Sequence, residues 1–243
     1  MKPRRLTLFL RLRVSFVLLL LARIFVPPAV SAETQTYAPL DWLDSPDAGP
    51  YQGIRGELDS LFSQAQAVGL PSEVLMDTLR EGTAKRVSPP LLLGALRSEW
   101  QRDRGLLSLF QSIPLTRQAP LGDLIRRGSV LLRGGISMDT LDALLDYTRI
   151  LGKTTDRALS AAGAALRIVA ISEGDPSAVG SLAQCLVRST LGEEDFTTLV
   201  SVALKGKRLG ITREPFIRLL QGTLDKGGEI TSVDRELERR GKN

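Results

Sequence analysis

The sequence predicts an all-α protein built from antiparallel helical hairpins, arranged as a short α-solenoid-like stack or a bundle, behind an N-terminal signal peptide. Three observations carry this. From residue 57 onward apolar side chains recur three and four positions apart, the period of one helix face. Ser, Thr, Asp and Pro at helix starts and Gly at helix stops punctuate the chain at hairpin intervals. At the amino terminus, basic residues precede a short apolar run and a small-residue cleavage motif.

The signal occupies residues 1–32. Lys2, Arg4, Arg5, Arg11 and Arg13 form its basic region, and the apolar run from Val14 to Ala22 ends at Arg23. That run is shorter than the roughly 20 apolar residues needed to span a hydrocarbon core. Pro27 and Pro28 interrupt any helix, and Val30-Ser31-Ala32 places the cleavage point before Glu33. Retention as an anchor would put several arginines and a proline pair inside the span, which is costly. No cysteine stands near the cleavage point to carry a lipid. The pair Arg4-Arg5 also fits a twin-arginine signal, but the general secretory route is the reading adopted. The expected location is periplasmic or otherwise exported, with membrane contact only during export.

Composition narrows the chemistry. Six of the 32 Lys and Arg lie in residues 1–32, which contain no Asp or Glu, leaving 26 basic against 27 acidic side chains in the mature chain. The high whole-chain pI therefore belongs to the signal and points to no nucleic-acid partner. Short basic groups such as Arg126-Arg127 and Lys205 to Arg208 read as solvated helix ends. The chain has no histidine, which excludes Ser-His-Asp, Cys-His and histidine-ligated zinc sites. Its single cysteine, Cys185, lies in an apolar run and reads as a small buried hydrophobe. Gly152-Lys153, Gly206-Lys207 and Gly241-Lys242 lack the earlier glycine of a phosphate-binding loop, and no G-x-G-x-x-G, G-x-S-x-G or S-x-x-K motif occurs.

The mature chain divides into an extended linker or arm at residues 33–56, a first helical region at 57–113 and a second at 114–243. The arm, rich in Pro, Gly, Asp and Tyr, has no helical period; Trp42 and Tyr51 are expected to pack back on the body. Leu58, Phe62 and Ala65 line a first helix stopping at Gly69; Val74, Leu75 and Leu79 line a second after Pro71. Ser88-Pro89 opens a longer third through Leu92, Leu96, Leu107 and Phe110, with a bend expected at Gly105. Ser137, Thr155 and Asp175-Pro176 open further helices, and the run Arg167 to Ser172 is the one stretch that also reads as strand. Glu193, Glu194 and Asp195 begin another, which Lys205 and Lys207 end in the order that suits the helix dipole. Thr212 opens the next, and Ser232 is the expected cap of a charged final helix.

A weak repeat supports hairpins. Gly69-Leu70-Pro71, Gly135-Ile136-Ser137 and Gly210-Ile211-Thr212 are each followed by apolar residues six and ten positions after the glycine. Generic helix capping explains the spacing equally well. The glycine would close one helix in a left-handed conformation and the third residue would open the next. The first of these units begins a stretch, residues 69–96, whose Glu81, Gly82, Ala84, Lys85, Val87 and Pro89 form E-G-x-A-K-x-V-x-P. It resembles a segment of exported bacterial helical proteins with no assigned activity. The resemblance implies location and helical architecture and transfers no functional residue. Read alone, Glu81 and Lys85 are a helix-surface ion pair and Gly82 is a close-packing point or the start of a helix end.

No catalytic, cofactor-binding or metal-ligating residue is assigned. Glu99, in Leu96-Arg97-Ser98-Glu99-Trp100, resembles the glutamate helix of lytic transglycosylases. It departs from them in having the serine before the acid and lacking the later glycine-leucine-methionine-glutamine segment. Asp139, Asp142 and Asp146 share a helix face but lack the loop a calcium site draws on, and Arg149 offers Asp146 a simpler partner. Two functions remain: a non-catalytic interaction or scaffold module whose partner is an envelope protein or polymer, and an acid-dependent cell-wall glycan hydrolase using Glu99. Expressed in a Gram-negative host, the chain should be recovered from the periplasm with Glu33 as its first residue by N-terminal sequencing; a soluble product still bearing Met1 would contradict the signal.

Overall fold

The computed structural model describes Asp44, residues 46–113 and residues 119–241; the expected signal, its expected cleavage point and Trp42 lie outside the described residues. What it describes is helical, with no strand among the described residues. Among the described residues there are ten α-helices: α1 Arg55–Ala67, α2 Ser72–Ala84, α3 Pro89–Ser112, α4 Leu121–Arg133 and α5 Met138–Ile150, followed by α6 Thr155–Ile171, α7 Ala178–Arg188, α8 Asp195–Arg208, α9 Arg213–Leu224 and α10 Ile230–Gly241. Residues Arg167 to Ile171 continue α6 rather than forming a strand.

Where an extended arm was expected, Pro46–Ile54 forms a 3-10 helix. Its buried residues, Ala48, Tyr51 and Ile54, stand three apart, the repeat of a helix with three residues per turn and one the α-helical and strand periods do not detect. Tyr51 packs back on the body as expected, donating its hydroxyl to the Val87 carbonyl at 3.0 Å. The final helix opens at Ile230, so Ser232 lies inside its first turn and is not its cap.

Helix ends follow a common rule. After α1, Gly69 takes φ 78° and the Leu70 amide donates to the Ala65 carbonyl at 3.0 Å. After α4 and α8, Gly135 and Gly210 repeat the turn, with Ile136 reaching Leu131 and Ile211 reaching Gly206. These are Schellman closures, in which the left-handed residue turns the chain back so that otherwise orphaned carbonyls gain donors. Ser137 and Thr154 then cap α5 and α6 by accepting from the Thr140 and Arg157 amides, each at 3.1 Å. Ser88 stands before Pro89 in extended backbone, but its side chain makes no cap bond.

Helices pack on sequence neighbours, α1 on α2, α2 on α3, α3 on α4, α5 on α6, α6 on α7 and α9 on α10, and on the next but one, α1 on α3, α2 on α4, α4 on α6, α5 on α7, α6 on α8, α7 on α9 and α8 on α10. This alternation is how stacked hairpins build a core that a single hairpin lacks. Gly82 is a close-packing point, because a Cβ there would collide with the Leu92 side chain of α3.

One side chain ties three of these elements. Arg157, in the first turn of α6, donates to the carbonyls of Val187 (2.9 Å), Leu186 (3.0 Å), Ser189 (2.7 Å) and Leu191 (2.8 Å), and its guanidinium lies 5.2 Å from the Phe196 ring centre. The planar fork thus satisfies the end of α7 and the loop leading to α8. Replacing Arg157 with Met should lower the unfolding free energy by about 2–4 kcal/mol, since several carbonyls lose a charged donor. Arg157→Lys should recover little of it, because a point ammonium cannot span the set. Urea denaturation measures both, and a loss below about 0.5 kcal/mol would show that water replaces the fork.

Candidate functional site

Two places concentrate polar chemistry: an acid pair sealed between α3 and α4, and an open groove between α4, α6 and α8.

The first lies on the apolar stripe of α3. Leu92, Leu96, Leu106, Leu107 and Phe110 are buried along it, and Glu99 and Asp103 occupy the intervening stripe positions, one turn apart. Glu99 is 5% exposed; it accepts from the Ser129 hydroxyl of α4 and from the Arg102 guanidinium. Asp103 is wholly buried, and neither of its carboxylate oxygens has a hydrogen-bond partner. A lone carboxylate in such a place is unfavourable. Burial, reinforced by the adjacent Glu99 charge, pushes the Asp103 acid up to about 7. The Ser129 hydroxyl, if turned toward Asp103, and the Arg102 and Arg133 guanidiniums act in the opposite direction and are outweighed. Ser129 has one proton, and the geometry gives it to Glu99.

Glu99, singled out by its sequence context, is therefore held by Ser129 and Arg102 in a sealed knot that also contains Asp103, and neither Asp103 nor Ser129 was identified from the sequence. One signal for Asp103 was present: two acids four apart inside a stripe whose other members are Leu and Phe. Ser129 carried none. A glycan-cleaving acid must reach the glycosidic oxygen, and Glu99 lines neither the groove between α4, α6 and α8 nor the cavity between α1 and α3.

The other acids and the cysteine are also placed. Asp146 pairs with Arg149 at 3.2 Å, and Asp139 and Asp142 are exposed. No group of three or more potential metal ligands occurs among the described residues. Cys185 is buried with its thiol 3.3 Å from the Asp225 carboxylate, and burial, followed by that acid, pushes the thiol up to about 12. Such a thiol is not poised to be a nucleophile at neutral pH.

The groove between α4, α6 and α8 has a volume of about 390 Å³. Leu131, Leu159 and Phe196, all buried, form its floor. Arg126 and Arg127 stand on the α4 side, Arg167 on α6, and Glu193 and Thr197 at the α8 side. Arg127 is fixed by the Asp156 carboxylate, the Asp156 carbonyl and Ser160, whose hydroxyl in turn donates to Glu193 at 2.7 Å. Arg126 pairs with Asp77 at 3.0 Å and Asp123 at 2.6 Å. Arg167 is exposed and has no ion pair or hydrogen bond among the described residues. The sequence reading placed Arg126 and Arg127 at a solvated helix end and did not join them to Arg167 or Phe196. Their assembly depends on contacts among helices that are not consecutive.

A second cavity, of about 340 Å³, lies beside Trp100, between α1 and α3. Its Glu57 and Arg97 pair with each other at 2.9 Å, and Gln64 donates to Ser60 at 3.0 Å.

Comparison of the chain with protein-family models, curated proteins and solved structures gives no match.

Asp103 generates a pH prediction with a definite sign. Its folded-state pKa lies above the ordinary 3.8, so its contribution to stability is complete below about pH 4 and is lost as pH rises through about 7. The chain has no histidine, the side chain that normally titrates in this window. Between pH 5 and pH 8 the mature protein should lose on the order of 2–4 kcal/mol of unfolding free energy. Asp103→Asn should flatten that loss and be the more stable protein at pH 8. Equal pH slopes in urea titrations of the two proteins would rule out a proton held on Asp103.

Proposed function

We propose that this chain is an exported, non-catalytic interaction or scaffold module of the cell envelope, whose partner is an envelope protein or polymer. One contrast carries the reading: the acid pair is sealed between α3 and α4, while the open groove offers an apolar floor and an arginine rim. Catalysis by Glu99 would require solvent and substrate to reach a side chain that is 5% exposed and held by Ser129 and Arg102. A binding surface requires only exposed complementary chemistry, which stacked hairpins supply readily. The signal-like residues 1–32 and the resemblance of residues 69–96 support export.

The test is cross-linking in the native envelope alongside incubation of the purified mature protein with peptidoglycan. One envelope protein or polymer should be captured reproducibly, Glu99→Gln should leave that capture intact, and no soluble glycan fragments should appear. Fragments released by the native protein and absent with Glu99→Gln would replace this reading with the hydrolase.

A further inference from the structure

We propose that the groove between α4, α6 and α8 is a docking site for a peptide segment of a partner protein, one carrying an acidic side chain flanked by apolar residues, with Arg167 meeting the acid. This rests on the reading of the chain as an interaction module and adds to it a surface and a partner chemistry.

Charge selects the acid. Each charged group on the groove except Arg167 already has a counterpart. Arg126 has Asp77 and Asp123, Arg127 has Asp156, and Glu193 accepts from Ser160 and lies within the field of Arg157. Arg167 alone stands exposed with no partner among the described residues. An occupant bearing one negative charge compensates it, and the guanidinium fork suits a carboxylate.

The apolar part of the occupant follows from the floor and the near wall. Val130, on the α4 edge, is 54% exposed, so an apolar side chain stands in water at the mouth while Leu131, Leu159 and Phe196 lie beneath it. On α6 the wall contains Gly163, inside the helix, where glycine is about 1 kcal/mol less favourable than alanine. Internal packing does not require it: a Cβ there would meet only Leu131 Cδ2, at an ordinary 3.8 Å. The absent side chain widens the groove where an incoming apolar group would lie.

The polar rim favours a peptide over a lipid chain. The Thr197 hydroxyl and the Arg126 guanidinium flank the apolar floor and can serve the amide groups of a polypeptide, whereas an acyl chain has no use for them. An apolar centre with polar edges is the pattern of protein interfaces. The second cavity lacks this character, because its Glu57 and Arg97 satisfy each other.

The experiment pans a displayed library of random dodecapeptides against the full mature chain, then measures synthetic enriched peptides by fluorescence anisotropy. Enriched sequences should share an Asp or Glu next to apolar residues. Arg167→Glu should weaken binding at least tenfold, and exchanging the peptide's acid for Lys should restore binding to that variant. Gly163→Leu, which fills the groove, should abolish binding without altering the circular dichroism spectrum. Enriched peptides with no acidic bias, no enrichment at all, or affinities unchanged by Arg167→Glu would each overturn the proposal. So would Arg167-dependent binding to phosphatidylglycerol vesicles in the absence of peptide binding, which would assign the groove to a membrane surface. If envelope cross-linking captures the same partner with Arg167→Glu as with the native protein, the interaction module stands and this groove as its site does not.

Discussion

The fold turns on the Arg157 guanidinium. The end of a helix leaves carbonyls without donors, and the loop leaving α7 would expose several such groups to a partly buried junction. Arg157 reaches four of them from the start of α6 and lies over the Phe196 ring at the start of α8. Burial draws its pKa downward, with Glu193 and Glu194 opposing that shift. A charged group in that position holds its place only while its donors are used. Helices α6 and α8 and the end of α7 are thereby set in one arrangement, and Glu193 and Phe196 come to the groove as a consequence.

Helix closure shows how far such an architecture can be read from residues. The turns at Gly69, Gly135 and Gly210 were legible because glycine marks a left-handed backbone position, and all three adopt positive φ. The same closure follows α2 and α6, where Val87 bonds back to Gly82 and Gly174 to Val169, but the left-handed residues there are Arg86 and Glu173. Nothing in an arginine or a glutamate signals that conformation. The repeat seen at three glycines is thus the visible part of a wider capping pattern.

Side-chain clusters were less legible than helices, for a reason of distance. A helix face is encoded within about a dozen residues, so Leu58, Phe62 and Ala65 or Phe216, Leu219 and Leu220 identify their burial locally. Asp103 and Ser129 meet across α3 and α4, and the groove joins Arg126 to Val200 through three helices that alternate in sequence. No local period records those meetings. Asp103 was hidden for a second reason: an acid on an apolar stripe conflicts with the pattern that identifies the stripe, so it reads as noise until its neighbours are seen.

The glycines inside helices separate sites of packing from sites of access. A Cβ at Gly128 would stand 2.9 Å from Leu106 Cδ2, and one at Gly206 2.9 Å from the Phe216 ring; both glycines let neighbouring helices approach closely. Gly163 stands between Ala162 and Ala164 on α6, where a Cβ would meet only Leu131 Cδ2 at an ordinary 3.8 Å, so its missing side chain brings no helix closer. Close contact across α3, α4, α8 and α9 and free space beside α6 are both produced by the same residue type. The difference lies in what faces the missing methyl: an apolar side chain in the first case, and in the second an opening whose one uncompensated charge is Arg167.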